Sequence, residues 1–251
     1  MNRLSGRIAV VTGASHGKGI GTAICRKLSS EGADIFFMHW GAEVEWAGVL
    51  RNEIQAMGVR CESLEIDLSD PNSPFKLLDT VCDTLGFPSI LVNNAAHSAR
   101  DGYLALDAQT LDAHCAVNVR ATCLLSVEFA RRFQQSNQST GRIINMISGQ
   151  AQGPMPGELA YVATKGAISA FTNSLSAELA PLGITVNAVN PGPTDSGGMT
   201  EEIKQHLLPK FLLGRIGLPE DAARLVAFLA SDEAQWITGQ VIHSEGGFFR
   251  N

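Results

Sequence analysis

A chain of 251 residues, 45% hydrophobic and 18% charged, has the composition of a globular protein and lies far from that of a disordered one. Its formal charge of -6, without any dense Lys/Arg run, excludes the basic stripe that nucleic-acid binding requires, and the expected partner is a small molecule. Five cysteines without a C-x-x-C and six histidines without ligand spacing indicate neither a disulfide framework nor a metal site, and no uncharged apolar run reaches the ~18 residues that span a bilayer.

The polar N-terminus passes directly into a strand-like run, RIAVVT (7–12), without an apolar secretory segment, and the reading is of a cytoplasmic protein. The next stretch, TGASHGKGIGTAIC (12–25), leads into a predicted helix over 20–30 and carries glycines at 13, 17, 19 and 21. Glycine allows a tight turn and a close backbone approach to a pyrophosphate, while the N-terminus of the helix supplies free N–H groups and a favourable dipole. The loop is not a strict G-x-G-x-x-G, so two pairs, Gly17/Gly19 and Gly19/Gly21, are candidates for facing the phosphates. The second strand, ADIFFMHW (33–40), ends in His39 and Trp40, where a site preferring NAD would end in an acid for the ribose 2′-hydroxyl. His16 and Lys18 stand ready for a 2′-phosphate, which favours NADP(H) over NAD(H).

Beyond these lie predicted strands at 59–67, 89–95, 141–148, 183–190 and 239–245, and helices at 43–57, 71–85, 108–135, 157–182 and 219–230. The Gly/Pro-rich NPGPTDSGG (190–198) follows a strand end and reads as a ligand-contacting loop. Strand–helix alternation throughout predicts an α/β fold, a seven-stranded parallel sheet with helices on both faces.

Inside the 157–182 helix, Tyr161 and Lys165 are four residues apart and share one face. With two tyrosines in the chain, such a pair is expected by accident roughly 0.05 times. Reduction of a carbonyl by hydride leaves negative charge on oxygen, which needs a proton donor and hydrogen bonds aimed at it. Tyr161 is the candidate donor, and the Lys165 ammonium would favour its phenolate; lowering a phenol pKa of about 10 by roughly three units corresponds to about 4 kcal/mol.

Taken together, TGASHGKG at the first turn, NNAA (93–96), Tyr161-x-x-x-Lys165 with Ser148 thirteen residues earlier, and NPGPTDS (190–196) resemble the short-chain dehydrogenase/reductase family over nearly the whole chain. The resemblance implies a single Rossmann-type doubly wound domain over 1–251, a nicotinamide cofactor and a catalytic tetrad of Asn118, Ser148, Tyr161 and Lys165. In it Ser148 holds the substrate oxygen, Asn118 binds a water linking the lysine to solvent, and Lys165 also reaches the cofactor ribose. The implied cofactor contacts are Gly13, Ser15, His16, Lys18, Gly19 and Ile20 in the glycine loop, Asp67 and Leu68 at the adenine, and Asn94 and Ala95 after the fourth strand. Tyr161 and Lys165 join them, and Pro191, Gly192, Thr194 and Ser196 close over the nicotinamide.

Departures from the family pattern are the glycine loop, about two residues longer than the family's common form, and Ala96, Ile147, Ser196 and Glu245. The nearest likeness is to bacterial 3-oxoacyl-[acyl-carrier-protein] reductases and their paralogues, which implies an acyl-thioester substrate. The stretches QQSNQST and ELAPLG stand where those reductases carry basic residues, with Arg131 and Arg132 nearby, so a small ketone, sugar or other alcohol is the alternative. A non-catalytic dinucleotide sensor is a third reading, one that leaves Ser148, Tyr161 and Lys165 without a purpose. The substrate pocket is expected from residues 97–103, 150–158 and 197–213, with Met199 and Phe211 as apolar walls and Glu158 and His97 as candidate polar contacts, His97 reading better as a solvated loop histidine. The family forms tetramers through the 157–182 helix, so a homo-oligomer is expected.

Overall fold

A computed structural model describes residues 3–250. Seven strands form one parallel sheet in the order β3-β2-β1-β4-β5-β6-β7. They are β1 (Ile8–Thr12), β2 (Asp34–His39), β3 (Cys61–Glu65), β4 (Ile90–Asn93), β5 (Gly141–Met146), β6 (Ile184–Asn190) and β7 (Val241–His243). The central strands read as continuous apolar runs because both of their faces are covered. Alternate residues feed two cores: Ala9, Val11, Ile35 and Phe37 pack with Ile24 and Leu28 of α1 (Ile20–Ser30) and Val226 of α8 (Pro219–Ala230). Val10, Phe36, Leu91, Ile143 and Val186 pack on the other face with α3 (Ser73–Thr84), α5 (Thr122–Gln135) and α6 (Leu159–Leu179). Burying one such side chain completely contributes about 1.5–3 kcal/mol, which fixes the register of the sheet.

The chain builds β1, β2 and β3 outward, then returns to lay β4 on the other side of β1. That reversal opens a crevice at the carboxyl ends of β1 and β4, where doubly wound sheets bind ligands.

All seven expected strands are present, and three helical details differ from expectation. First, the 108–135 helix is interrupted: α4 (Ala108–His114) passes through a π-helical stretch, Cys115–Ala121, into α5. The wider turn interrupts the 3.6-residue repeat on which apolar patterning rests, and Asn118 lies within it, 1% exposed. Second, α2 (Trp46–Gln55) starts three residues later than its apolar spacing suggested. Third, a short helix, α7 (Glu201–Leu207), lies where only loop was expected. Thr200 caps it by accepting from the Ile203 N–H at 3.3 Å, and Glu201 and Glu202 face its dipole. No helix among the described residues is long and apolar enough to cross a membrane.

Candidate active site

The glycine loop shows which glycines the fold requires. Gly13 has φ +78°, and a Cβ there would lie 2.7 Å from the Ala95 Cα. Gly19 is the N-cap of α1. A Cβ on Gly21 would sit 2.4 Å from the Gly13 carbonyl oxygen and 2.7 Å from the Asn94 amide nitrogen, a collision with fixed atoms. By contrast, a Cβ on Gly17 would meet only the Trp46 ring at 3.4 Å, an ordinary contact. The close-packed pair is therefore Gly19/Gly21, and the two additional residues bulge outward with His16 and Lys18 exposed. Gly21, one of the candidate glycines for facing the phosphates, is the one that lets α1 approach β1.

Thr12 ends β1 with a hydroxyl that accepts from the Asn94 and Ala95 N–H groups, both at 3.0 Å. Asn94 donates back to the carbonyls of Thr12 (2.9 Å) and Gly13 (3.1 Å), so the two strand ends flanking the crevice are laced together. Beneath them Asn93 donates to Asn145 (2.8 Å), which donates to Thr172 on α6 (2.9 Å), a buried polar chain across β4, β5 and α6.

The crevice itself is a cavity of about 650 Å³. Met38, Trp40, Asp67 and Leu68 line one end; Gly13, Ser15, Gly19, Ile20, Asn94 and Ala95 form its middle; His97 and Ser196 stand at the other. His16 borders it too, but Lys18 does not: the lysine stem lies along Gly197, in an adjoining groove with His16 and Ser196. Pro191, Gly192 and Thr194 lie beyond the crevice wall, with the Thr194 hydroxyl turned onto the Pro191 and Gly192 carbonyls at 3.2 Å. The sequence singled out Trp40 only for not being an acid. Trp40 forms part of the wall, and its backbone N–H donates to the Ser15 hydroxyl at 3.1 Å. Its neighbour His39 is buried, with Nδ1 unpartnered and the ring's pKa lowered by burial. Among the described residues no cluster of three or more His, Cys, Asp or Glu is placed to hold a metal.

Tyr161 and Lys165 share one face of α6, with the ammonium 5.5 Å from the phenol ring centroid. Lys165 is 4% exposed and donates to the Met146 carbonyl at 2.8 Å. The expected electrostatics are not those of the chain alone. Burial pushes the Tyr161 phenol up to about 12, with Glu158 adding to the rise and Ser148 offsetting part of it. Burial likewise pulls Lys165 down to about 8. Desolvation outweighs the mutual stabilisation that spacing suggested, because the ammonium lies over the ring and bonds a backbone carbonyl.

Ser148 follows β5, its Oγ 3.7 Å from the Met155 sulfur and its N–H donating to the Gln150 side chain at 3.2 Å. The Asn118 side chain is taken up by protein partners. Its Oδ1 accepts from the His97 N–H (2.7 Å), and its Nδ2 donates to the His97 carbonyl (2.9 Å) and the Thr164 hydroxyl (3.0 Å). The amide thus ties the loop after β4 to α6. His97, expected to be solvated, is half-buried against His114, ring centroids 4.6 Å apart, and burial followed by His114 lowers its pKa. Asp101, missed in the sequence, accepts from the Leu159 (2.6 Å) and Ala160 (2.8 Å) N–H groups and so caps α6 two residues before Tyr161. Phe211, expected as a pocket wall, is instead buried against Phe248, with centroids 4.9 Å apart.

A doubly wound sheet, a glycine-cradled crevice at its reversal point and, on α6, a half-buried tyrosine with a buried lysine on the same helical face define an oxidoreductase of the dinucleotide-binding class. The chain belongs to the short-chain dehydrogenase/reductase family. The family model described as Enoyl-(Acyl carrier protein) reductase matches residues 13–249. An uncharacterized oxidoreductase of Bacillus subtilis, YjdA, is 65% identical over the full length of both chains. The 3-oxoacyl-[acyl-carrier-protein] reductase FabG of Aquifex aeolicus is 36% identical over 98% of this chain and 99% of its own. Among solved structures, a blue fluorescent protein from a metagenomic library in complex with NADPH superposes with a TM-score of 0.90 at 33% identity, over 98% of this chain and 99% of that one.

Proposed function

We propose that the protein is an NADP(H)-preferring reductase that converts a carbonyl to a secondary alcohol, with Tyr161 as the proton donor. The observation that carries this reading is the Tyr161–Lys165 pair on one face of α6 at the carboxyl edge of the sheet, the lysine buried and the tyrosine half-buried, with Ser148 beside the phenol. The crevice fits a dinucleotide: its floor is the glycine cradle, where a Cβ on Gly13 or Gly21 would strike backbone, and its far end offers apolar Met38, Trp40 and Leu68 to a base. Gly19 and Ile20, at the N-terminus of α1, would hold the pyrophosphate, Asp67 and Leu68 the adenine, and Asn94, Ala95 and the loop from Pro191 to Ser196 the nicotinamide. When bound, the reduced nicotinamide supplies the hydride.

The chain's own residues do the rest. The Tyr161 hydroxyl donates its proton to the carbonyl oxygen as charge develops there, and a phenol held near 12 is fully protonated at neutral pH, which suits the reductive direction. The Ser148 hydroxyl hydrogen-bonds the same oxygen. Lys165, charged below about pH 8, stabilises the phenolate left behind. Asn118 and Asp101 are positioning residues that hold α6 and the 97–101 loop in register.

The preference for NADP(H) is supported by the absence of an acid at the end of β2 and by exposed His16 beside the crevice; the NADPH carried by the metagenomic neighbour agrees with it. An acyl thioester is supported by the FabG likeness. A small ketone, sugar or alcohol is the second reading, favoured by the lack of basic residues at 134–140, where a carrier protein would need positive charge. The outward stripe Ala163, Ala167, Ala170, Ser174 and Ala177 on α6 allows close helix approach and supports a homo-oligomer, in the family a tetramer. The test is NADPH and NADH oxidation with acetoacetyl-CoA and a panel of ketones, aldehydes and sugars. The reading expects faster turnover with NADPH; equal rates with both cofactors would remove the preference, and cofactor binding without turnover on any substrate would favour a sensor.

A further inference from the structure

Arg250 lies over the loop that carries Ser148. Its Nη1 donates to Gln152 Oε1 (2.6 Å) and Glu245 Oε1 (3.0 Å), and its Nη2 to Glu245 Oε2 (2.6 Å). The two charged side chains are 16% and 10% exposed, and the Phe248 ring lies 5.1 Å from the guanidinium carbon. Burial pushes the Glu245 carboxyl up, but Arg250 and Asn190 hold it below its usual range. This bidentate, shielded pair is far from the exposed kind that contributes little.

Two glycines make room for it. A Cβ on Gly149, the residue after Ser148, would lie 2.1 Å from Arg250 Nη2, 2.8 Å from Cζ and 3.0 Å from Nε; one on Gly153 would lie 2.9 Å from Arg250 Cδ. Gly149 does not adopt a left-handed backbone, so the guanidinium itself is what a side chain there would meet. Glu245 carries the connection onward: it accepts from Asn190 Nδ2 at 2.9 Å, and its own Cβ lies 2.4 Å from where a Gly192 side chain would begin.

We propose that Arg250 is a positioning residue for the reaction, a clasp that fixes the Ser148 loop against Glu245 and thereby sets the distance between Ser148 and the Pro191–Gly192 loop. The inference rests on the reading of Ser148 as the residue that holds the substrate oxygen. A misplacement of about 1 Å in such a group lowers turnover by about 10²-fold.

The test is a cycle of Arg250→Ala, Gly149→Ala and the double variant in the full-length protein, with Ser148→Ala beside it, reading kcat, KM, NADPH affinity and Tm. Each single variant is expected to lose kcat by about 10- to 100-fold while NADPH affinity stays within about twofold. The double variant should be no worse than Arg250→Ala, because the atoms that the new methyl group would strike are gone. Free guanidinium should restore turnover to Arg250→Ala but not to the double variant, where the methyl group fills its seat. If Arg250→Ala does not fold, Arg250→Lys keeps the charge without the fork and should show the same kcat loss in a folded protein. Parental kcat in the arginine variants, or additive losses in the cycle, overturn the clasp. Full activity in Ser148→Ala overturns the underlying reading of the site instead.

Discussion

Replacing Gly21 with alanine tests the glycine-loop register, and its size follows from the geometry. The new Cβ would stand 2.4 Å from the Gly13 carbonyl oxygen, where ordinary contact begins at 3.4 Å, so it falls about 1 Å short. Neither obstacle is a flexible tip: one is backbone, and the other is the Asn94 amide, held by the Thr12 and Gly13 carbonyls. α1 must withdraw from β1, or Asn94 must release the strand end. Overpacking of this kind costs about 1–3 kcal/mol, and loss of an Asn94 hydrogen bond about 1 kcal/mol more. At about 2–4 °C per kcal/mol for a chain of this length, Tm should fall by roughly 4–16 °C. NADPH affinity should drop by at least about tenfold, because the first N–H groups of α1 move with the helix. Gly17→Ala meets only a Trp46 ring edge and should shift Tm by no more than about 2 °C. Thermal unfolding and NADPH fluorescence titration of both variants decide the matter. A silent Gly21→Ala with a damaging Gly17→Ala would refute the reasoning and move the register by two residues.

Three further outcomes are expected. Lys165 has its pKa lowered from 10.5 to about 8, so between those values the unfolded chain binds more protons and stability rises with pH; the parent should gain on Lys165→Met by about 3 kcal/mol from pH 7 to 10.5, and a pH-independent difference in unfolding free energy would contradict this. For the same reason, reductive kcat should decline above about pH 8 as the ammonium is lost, and a profile flat to pH 10 would remove Lys165 from the proton chemistry. Asp101→Ala uncaps α6 and should lower Tm by about 2–4 °C for a loss of about 1 kcal/mol, with Asp101→Asn retaining much of it; equal losses in both would point to charge rather than capping.

Much of this site was legible in the sequence because its pieces are local. The glycine loop, the NNAA turn and the Tyr–Lys pair are each short contiguous runs near a strand or helix end, so they could be read as letters and matched to the family pattern. What escaped depends on contacts between distant segments. Asp101 caps a helix that begins 58 positions later than itself, and no periodicity joins the two. Gly21 and Gly17 look alike as letters, and only the approach of Asn94 and Gly13 separates them. The π-helical stretch around Asn118 inserts a turn into an apolar pattern that reads as regular, and the burial that reverses the expected Tyr161–Lys165 electrostatics comes from packing, not spacing. The helix at Glu201–Leu207 is the exception: Thr200 followed by two glutamates was a legible cap, masked by the Gly/Pro-rich run before it.

The most direct test of the central claim is Tyr161→Phe, a change that removes one oxygen and keeps the ring over which Lys165 lies. NADPH affinity should stay within about twofold while carbonyl reduction, followed by loss of nicotinamide absorbance, falls by about 10²–10⁴-fold. Unchanged turnover in a variant that still binds NADPH would show that Tyr161 is not the proton donor.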